Sequence, residues 1–211
     1  ERIRALRAEF GVGDDDYLVG GGGRLVTRKG FDVLIRAFAE AGLPDARLLI
    51  VGDGSERGRL ERLAGGRVEF AGFRRDVKDF YQAFDLFVCP SSYEPFGRVI
   101  AEALDAGVPV VAADSEGPRD IARRCPVELV PPDDVAALAE SLRRHAAAGR
   151  IRVNTDLSEY SLERTAERME DAYRAVLETV HPAVATMPGA SAPRVLFAPV
   201  PSPRSVVPEI P

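Results

Sequence analysis

Two carboxylates, Glu94 and Glu102, stand with seven residues between them in the run PSSYEPFGRVIAEALDAGVPV, positions 90 to 110. Ahead of them, Asp85–Cys89 is a short apolar run that stops at Pro90-Ser91-Ser92, the pattern of a buried strand entering a turn. From Gly97 the period becomes helical. Val99, Ala103, Leu104 and Ala106 can share a face, and Gly107 followed by Val108-Pro109 ends the helix. Glu94 is therefore expected in a loop at the carboxyl end of a strand, with Phe96, Gly97 and Arg98 at a helix start and Glu102 about one and a half turns further on. Free N–H groups and the helix dipole favour an anion at such a start. Gly97 lets a ligand approach the backbone closely, and a carboxylate accepts two hydrogen bonds from a vicinal diol. These are the parts a phosphorylated, hydroxyl-rich ligand requires. Taken alone, two glutamates at this spacing are ordinary surface carboxylates. The Pro-Ser, Glu-x-Phe-Gly and Ala-Gly-x-Pro-Val surroundings make the pattern specific.

A second constellation is GRLVTRKGFDVLIRAF, positions 23 to 38. Tyr17 to Gly23 reads as a strand ending in glycines, and Phe31, Leu34, Ile35 and Phe38 form a helical stripe. Arg24 and Lys29 fall in the loop between, where a planar guanidinium and a point-charge ammonium suit phosphate oxygens. A basic loop at a strand end is common, but of 28 basic residues only Lys29 and Lys78 are lysine, so Lys29 stands out. Arg28 competes with Arg24 for the same role, and Arg24 is favoured.

Both segments resemble the donor-binding signature of group 1 glycosyltransferases, the retaining enzymes of GT-B fold that build bacterial polysaccharides and glycolipids. The resemblance runs from about Arg4 to Val180. It implies an α/β, Rossmann-like parallel sheet flanked by helices, the nucleotide-sugar donor half of such an enzyme. Residue by residue, it implies that Glu94 contacts the donor sugar and Glu102 the ribose. Arg24 and Lys29 would hold the diphosphate and stabilise the departing charge, with Gly23, Phe96, Gly97 and Arg98 beside it. Arg98 departs from the family's aliphatic or small residue. The loop FAGFRRDV, positions 70 to 77, matches the one that seats the base, which places Phe73 and Arg75 there, with Arg74 and Asp76 as further candidates. That loop reads through backbone groups, so the base stays unnamed. Ser115 to Asp120 replaces the commoner double-glycine loop, a variant associated with lipopolysaccharide core assembly.

The implied reaction transfers a sugar from a nucleoside diphosphate sugar to a glycan or lipid-linked acceptor, with no cofactor and no metal. The acceptor would be held by an N-terminal domain preceding this chain, which starts at Glu1 inside a helical pattern and reads as a piece of a longer protein. The implied place is the cytoplasm, at the inner face of the membrane with peripheral association. Two other readings stay open: a nucleotide-sugar-binding module without turnover, and a GT-B-like epimerase, which would need acid/base residues that are not evident. A hydrolase pair would need carboxylates flanking a glycosidic bond, and nothing else supports it.

The elements that must position these residues follow from regular alternation. Strands are expected at Tyr17–Gly21, Arg47–Val51, Val68–Phe70, Asp85–Cys89, Val110–Ala112 and Val127–Val130. Helices are expected at Phe31–Ala41, Glu56–Ala64, Val77–Ala83, Arg98–Ala106, Pro118–Arg123 and Val135–Ala147, the last capped by Asp133 or Asp134. A further helix, Leu162–Thr179, puts Leu162, Ala166, Met169, Tyr173 and Val176 on one face. Such alternation means a parallel sheet covered on both sides, with ligands at the carboxyl ends of its strands.

With 211 residues, 45% hydrophobic, residues 1–180 support one domain. Residues 181–211, holding 8 of the 16 prolines, read as a linker or tail. A net charge of −5 argues against a nucleic-acid partner, and no apolar run is long enough to span a bilayer. Cys89 and Cys125 are expected as buried thiols, and His145 and His181 as surface residues. VGDGSERG, positions 51 to 58, looks like a dinucleotide fingerprint with its third glycine one place late, and reads better as a tight turn. Asp14-Asp15-Asp16 precedes the first strand and reads as a solvated turn rather than a metal motif.

Overall fold

The computed structural model describes residues 1–180. The Pro-rich segment 181–211 lies outside the described residues. The strands are β1 (Tyr17–Gly22), β2 (Ala46–Val51), β3 (Val68–Gly72), β4 (Leu86–Cys89), β5 (Val110–Ala113) and β6 (Val127–Val130). They form one parallel sheet in the order β3-β2-β1-β4-β5-β6. Parallel neighbours need crossover connections, and helices α1 (Arg2–Glu9), α2 (Phe31–Ala41), α3 (Arg57–Leu63), α4 (Val77–Ala83), α5 (Arg98–Asp105), α6 (Glu116–Ala122) and α7 (Val135–Ala148) supply them or flank the sheet.

The central strands β1, β4 and β5 carry no charged residue because both of their faces are covered, whereas β2, β3 and β6 admit Arg47, Glu69 and Glu128. Val19, Leu48, Ile50, Leu86 and Val88 point to a core shared with Leu34 and Phe38 of α2, Leu60 of α3 and Leu138 of α7. Their neighbours Leu18, Leu49, Phe87, Val110 and Ala112 point the other way, onto Leu6 of α1, Phe80 of α4, Ile100 of α5 and Ile121 of α6. The period of two along a strand thus sorts the sheet into two cores.

Strand order reverses between β1 and β4, which opens a crevice at their carboxyl ends. At the opposite ends the two strands are fastened by Asp85, which is only 3% exposed. Its carboxylate accepts from the Leu18 N–H at 2.8 Å and pairs with Arg7 at 3.2 Å and Arg150 at 3.3 Å. A buried carboxylate persists only with such partners. Asp85 therefore stands just ahead of β4 rather than inside it.

Most boundaries fall where periodicity places them. One differs with a clear cause: α6 begins at Glu116, not at Pro118. Ser115 takes the extended N-cap conformation, and Pro118 sits in the first turn, where its missing N–H leaves no intrahelical bond unmade. Asp134, not Asp133, caps α7, accepting from the Ala137 N–H at 2.9 Å.

Cys89 and Cys125 are buried thiols, as expected. His145 is drawn inward rather than left on the surface, its side chain 18% exposed and 3.0 Å from Glu128. Burial pushes the Glu128 carboxyl up, but hydrogen bonds from Ser141 and His145 outweigh it and hold the group below its ordinary value. The Asp14–Asp16 stretch is a turn in which Asp16 accepts from the Gly13 N–H and meets Arg47.

The described residues fall in two compact units, Glu1–Glu159 and those from Tyr160 onward. The second carries helix α8 (Leu162–Val180), on which Met169, Tyr173 and Val176 are exposed. No described helix is long and apolar enough to cross a membrane.

Candidate functional site

The site is built where β1 and β4 end. After β1 the chain passes Gly23 and the exposed Arg24, then makes a short 3-10 turn, Thr27–Lys29, that delivers Lys29 just before α2. After β4 the loop from Pro90 to Gly97 carries Glu94. The Lys29 Nζ lies 2.5 Å from Glu94 Oε2, with the side chains 20% and 11% exposed. The other carboxylate oxygen, Oε1, accepts from the Gly97 N–H at 3.2 Å. Gly97 is the N-cap of α5 at φ 70°, a left-handed conformation that a side chain would strain. Arg98 and Val99 begin the helix, so their N–H groups have no intrahelical partner.

One and a half turns along α5, Glu102 faces a cleft of about 430 Å³. Its walls include Gly23, Arg24, Phe73, Arg74, Tyr81 and Glu102. Arg24 lines this cleft and Arg28 does not. Phe73 is 74% exposed, an aromatic face available to a flat ligand. Of the two neighbouring arginines, Arg74 rather than Arg75 forms the wall. Arg74 is committed to protein partners: it pairs with Asp76 and Glu9, each at 2.8 Å, and lies 5.0 Å from the Phe80 ring centre. The Arg74 hydrogen bond holds the Asp76 carboxyl down at about 2. Arg75, Phe96 and Arg98 are exposed and stand outside the cleft lining, Phe96 and Arg98 where the Glu94 loop enters α5.

The structure thus gathers the sequence candidates into two adjoining groups. Lys29, Glu94 and Gly97 form a charged knot at the start of α5. Gly23, Arg24, Phe73 and Glu102 line the cleft beside it. The loop from Gly23 to Lys29 and the first turns of α5 connect them. The 52–54 turn spends its backbone on this loop: Leu25 donates to the Asp53 carbonyl, and the Leu25 carbonyl accepts from Glu56. A Cβ at Gly52 would meet the Gly23 carbonyl and one at Gly54 the Leu25 carbonyl, which accounts for the glycine pair there without a dinucleotide.

Sequence reading missed two residues. Tyr81, on the buried face of α4, donates its hydroxyl to Glu102 Oε2 at 2.8 Å. Gly117, in the first turn of α6, donates its N–H to the Glu94 carbonyl at 2.8 Å. A Cβ at Gly117 would stand 2.6 Å from that carbonyl oxygen and 2.8 Å from the Phe96 backbone. With Ser115 Oγ donating to the Ser91 carbonyl at 3.2 Å, the loop after β5 clamps the Glu94 loop in place. A glycine inside a helix is unfavourable by itself, and that was the available signal for Gly117.

The family described as glycosyl transferases group 1 matches residues 17–147, which contain both groups. A lipopolysaccharide core biosynthesis glycosyltransferase, LpsE of Rhizobium meliloti, is 46% identical over 118 residues, 54% of this chain and 34% of the relative. A GDP-mannose-dependent monoacylated phosphatidylinositol monomannoside mannosyltransferase of Corynebacterium glutamicum is 35% identical over 193 residues, 78% of this chain and 49% of the relative. Among solved structures, Anabaena HepE in complex with UDP-glucose is 33% identical with a TM-score of 0.64, covering 69% of this chain and 43% of that one. The chain spans a third to a half of the length of these curated relatives. With more than half of its residues inside the family match and both charged groups among them, the chain belongs to the group 1 glycosyl transferases.

Proposed function

We propose that this chain is the donor-binding half of a retaining glycosyltransferase, which moves a sugar from a nucleoside diphosphate sugar to a glycan or lipid-linked acceptor. The observation that carries the reading is the junction of the two groups. One helix, α5, starts at the Glu94–Lys29 pair and brings Glu102 to the cleft. A ligand with a sugar, a diphosphate and a ribose in line fits that sequence of groups. The sugar complex of HepE and the names of the transferase relatives support it.

In this reading Glu102 holds the ribose diol, and Phe73 covers one face of the base. The diphosphate lies between Arg24, Lys29 and the first N–H groups of α5, and Glu94 turns to the sugar hydroxyls. As the bond between the anomeric carbon and the diphosphate oxygen breaks, its electron pair leaves with the diphosphate. Arg24 and Lys29 are placed to stabilise that growing charge, the use to which preorganised cations are best suited. The acceptor hydroxyl attacks from the face that the leaving group vacates and passes its proton to the diphosphate, so no side-chain base is required. The acceptor would be bound by a separate N-terminal half, and peripheral association with the inner membrane face would bring lipid-linked acceptors within reach.

Two measurements test this. Proton NMR of the product should show the donor's anomeric configuration, and an inverted linkage would remove the retaining mechanism. Nucleotide binding should be unchanged in EDTA, because side chains and helix N–H groups alone hold the diphosphate. Binding that needs a divalent cation would contradict this.

A further inference from the structure

We infer that Tyr81 is a positioning residue for nucleotide recognition: its hydroxyl fixes one oxygen of Glu102 and thereby presents the other to a ribose diol. The inference deepens the proposed function and rests on Glu102 as the ribose contact.

Glu102 is exposed, on a helix face, and would ordinarily lose side-chain entropy on meeting a ligand. Tyr81 removes that freedom in advance. Its hydroxyl donates to Glu102 Oε2 at 2.8 Å, and among the described residues no other side chain hydrogen-bonds Glu102. The ring cannot swing away. Tyr81 is 3% exposed, packed edge-on to Phe87 at 5.3 Å and to Phe84 at 6.3 Å between ring centres. Burial, then the bond to Glu102, pushes the phenol well above its ordinary value, so it stays a donor at all working pH values. Phenylalanine would fill the same space without burying a hydroxyl, which is costly unless it is bonded. The hydroxyl is therefore not needed for packing, and its single hydrogen-bond partner among the described residues is the carboxylate on the cleft wall. Holding a binding group in its bound orientation raises affinity by lowering the ordering cost.

The test uses the 211-residue chain and calorimetric titration with UDP, GDP and their 2′-deoxy counterparts, dUDP and dGDP. Wild-type protein should prefer the ribonucleotide it binds over the deoxy form. Tyr81→Phe should reduce that preference about three- to tenfold, the worth of one hydrogen bond, with the deoxy form, which keeps its 3′-hydroxyl, weakened less than the ribo form and the thermal midpoint unchanged. Glu102→Ala should abolish the preference, and adding Tyr81→Phe to it should change nothing further. A wild-type preference in Tyr81→Phe, with the preference lost in Glu102→Ala, would overturn the Tyr81 role and leave the Glu102 reading standing. Equal weakening of ribo and deoxy forms in Tyr81→Phe would mark the residue as structural and also overturn it. A preference that survives Glu102→Ala, or no binding by any of the four, would remove the ribose role of Glu102 and this inference with it.

Discussion

Lys29→Ala weakens nucleoside diphosphate binding by about 1.5–3 kcal/mol, roughly ten- to a hundredfold in Kd, whereas Glu94→Gln strengthens it. The opposite signs follow from the knot at the start of α5. Glu94 presents one oxygen to the Lys29 ammonium and the other to the Gly97 N–H. Those are two of the groups proposed to receive the diphosphate, so an incoming phosphate must displace a carboxylate from both. Removing the lysine deletes a charge-assisted partner and leaves Glu94, 11% exposed, as an unpaired anion beside the phosphate. Exchanging Glu94 for glutamine keeps the shape, removes the competing charge and frees the lysine. The gain should appear with UDP or GDP alone. It should shrink or reverse with the matching nucleotide sugar, because the proposed contact from Glu94 to the sugar hydroxyls is weakened. Calorimetry on both variants with both ligand types checks this. Equal weakening by the two substitutions would mean that the ion pair acts only as a structural tie.

Gly117→Ala is the second large effect, and its sign is diagnostic. Helix propensity alone favours alanine over glycine by about 1 kcal/mol. Here the added Cβ would press on the Glu94 carbonyl oxygen at 2.6 Å and on the Phe96 backbone at 2.8 Å. Backbone cannot rotate aside as a side chain can, so relief requires the Glu94 loop or the start of α6 to move. Overpacking of this kind costs about 1–3 kcal/mol, outweighing the propensity gain. The displaced loop is the one that sets Glu94 against Lys29, so ligand binding should fall together with stability. Urea unfolding and a nucleotide titration on the same variant measure both. A more stable protein with unchanged binding would show that the loop after β5 does not hold the Glu94 loop in place.

The strands and helices were legible because their signals are local. Continuous apolar runs broken by glycine or proline mark strands buried on two faces, as at Leu86–Cys89 before Pro90 and at Val110–Ala113 after Pro109. The stripe Phe31, Leu34, Ile35 and Phe38 is buried throughout. The start of α6 was misplaced because Pro118 reads as a first helical residue, while the helix already starts after Ser115, which takes the N-cap position. Within the site, the sequence offered the residues but not their pairing. Lys29 and Glu94 are 65 positions apart and meet only because β1 and β4 lie side by side. Tyr81 gave no sign of itself, since on the apolar face of α4 it reads as core, which its ring is. Arg74 and Arg75 are indistinguishable as letters. Only the ion pairs with Glu9 and Asp76 and the contact with Phe80 put Arg74 in the cleft wall.

The central claim is that Lys29 and Glu102 serve one nucleotide-sugar site. Its most direct test is calorimetric titration of UDP, GDP and ADP, with their common sugars, into the 211-residue chain and into Glu102→Ala and Lys29→Ala. The account predicts selective binding of one nucleotide, lost or much weakened in both variants while their thermal midpoints are kept. Binding that neither substitution touches, or no binding at all by a folded sample, would contradict it.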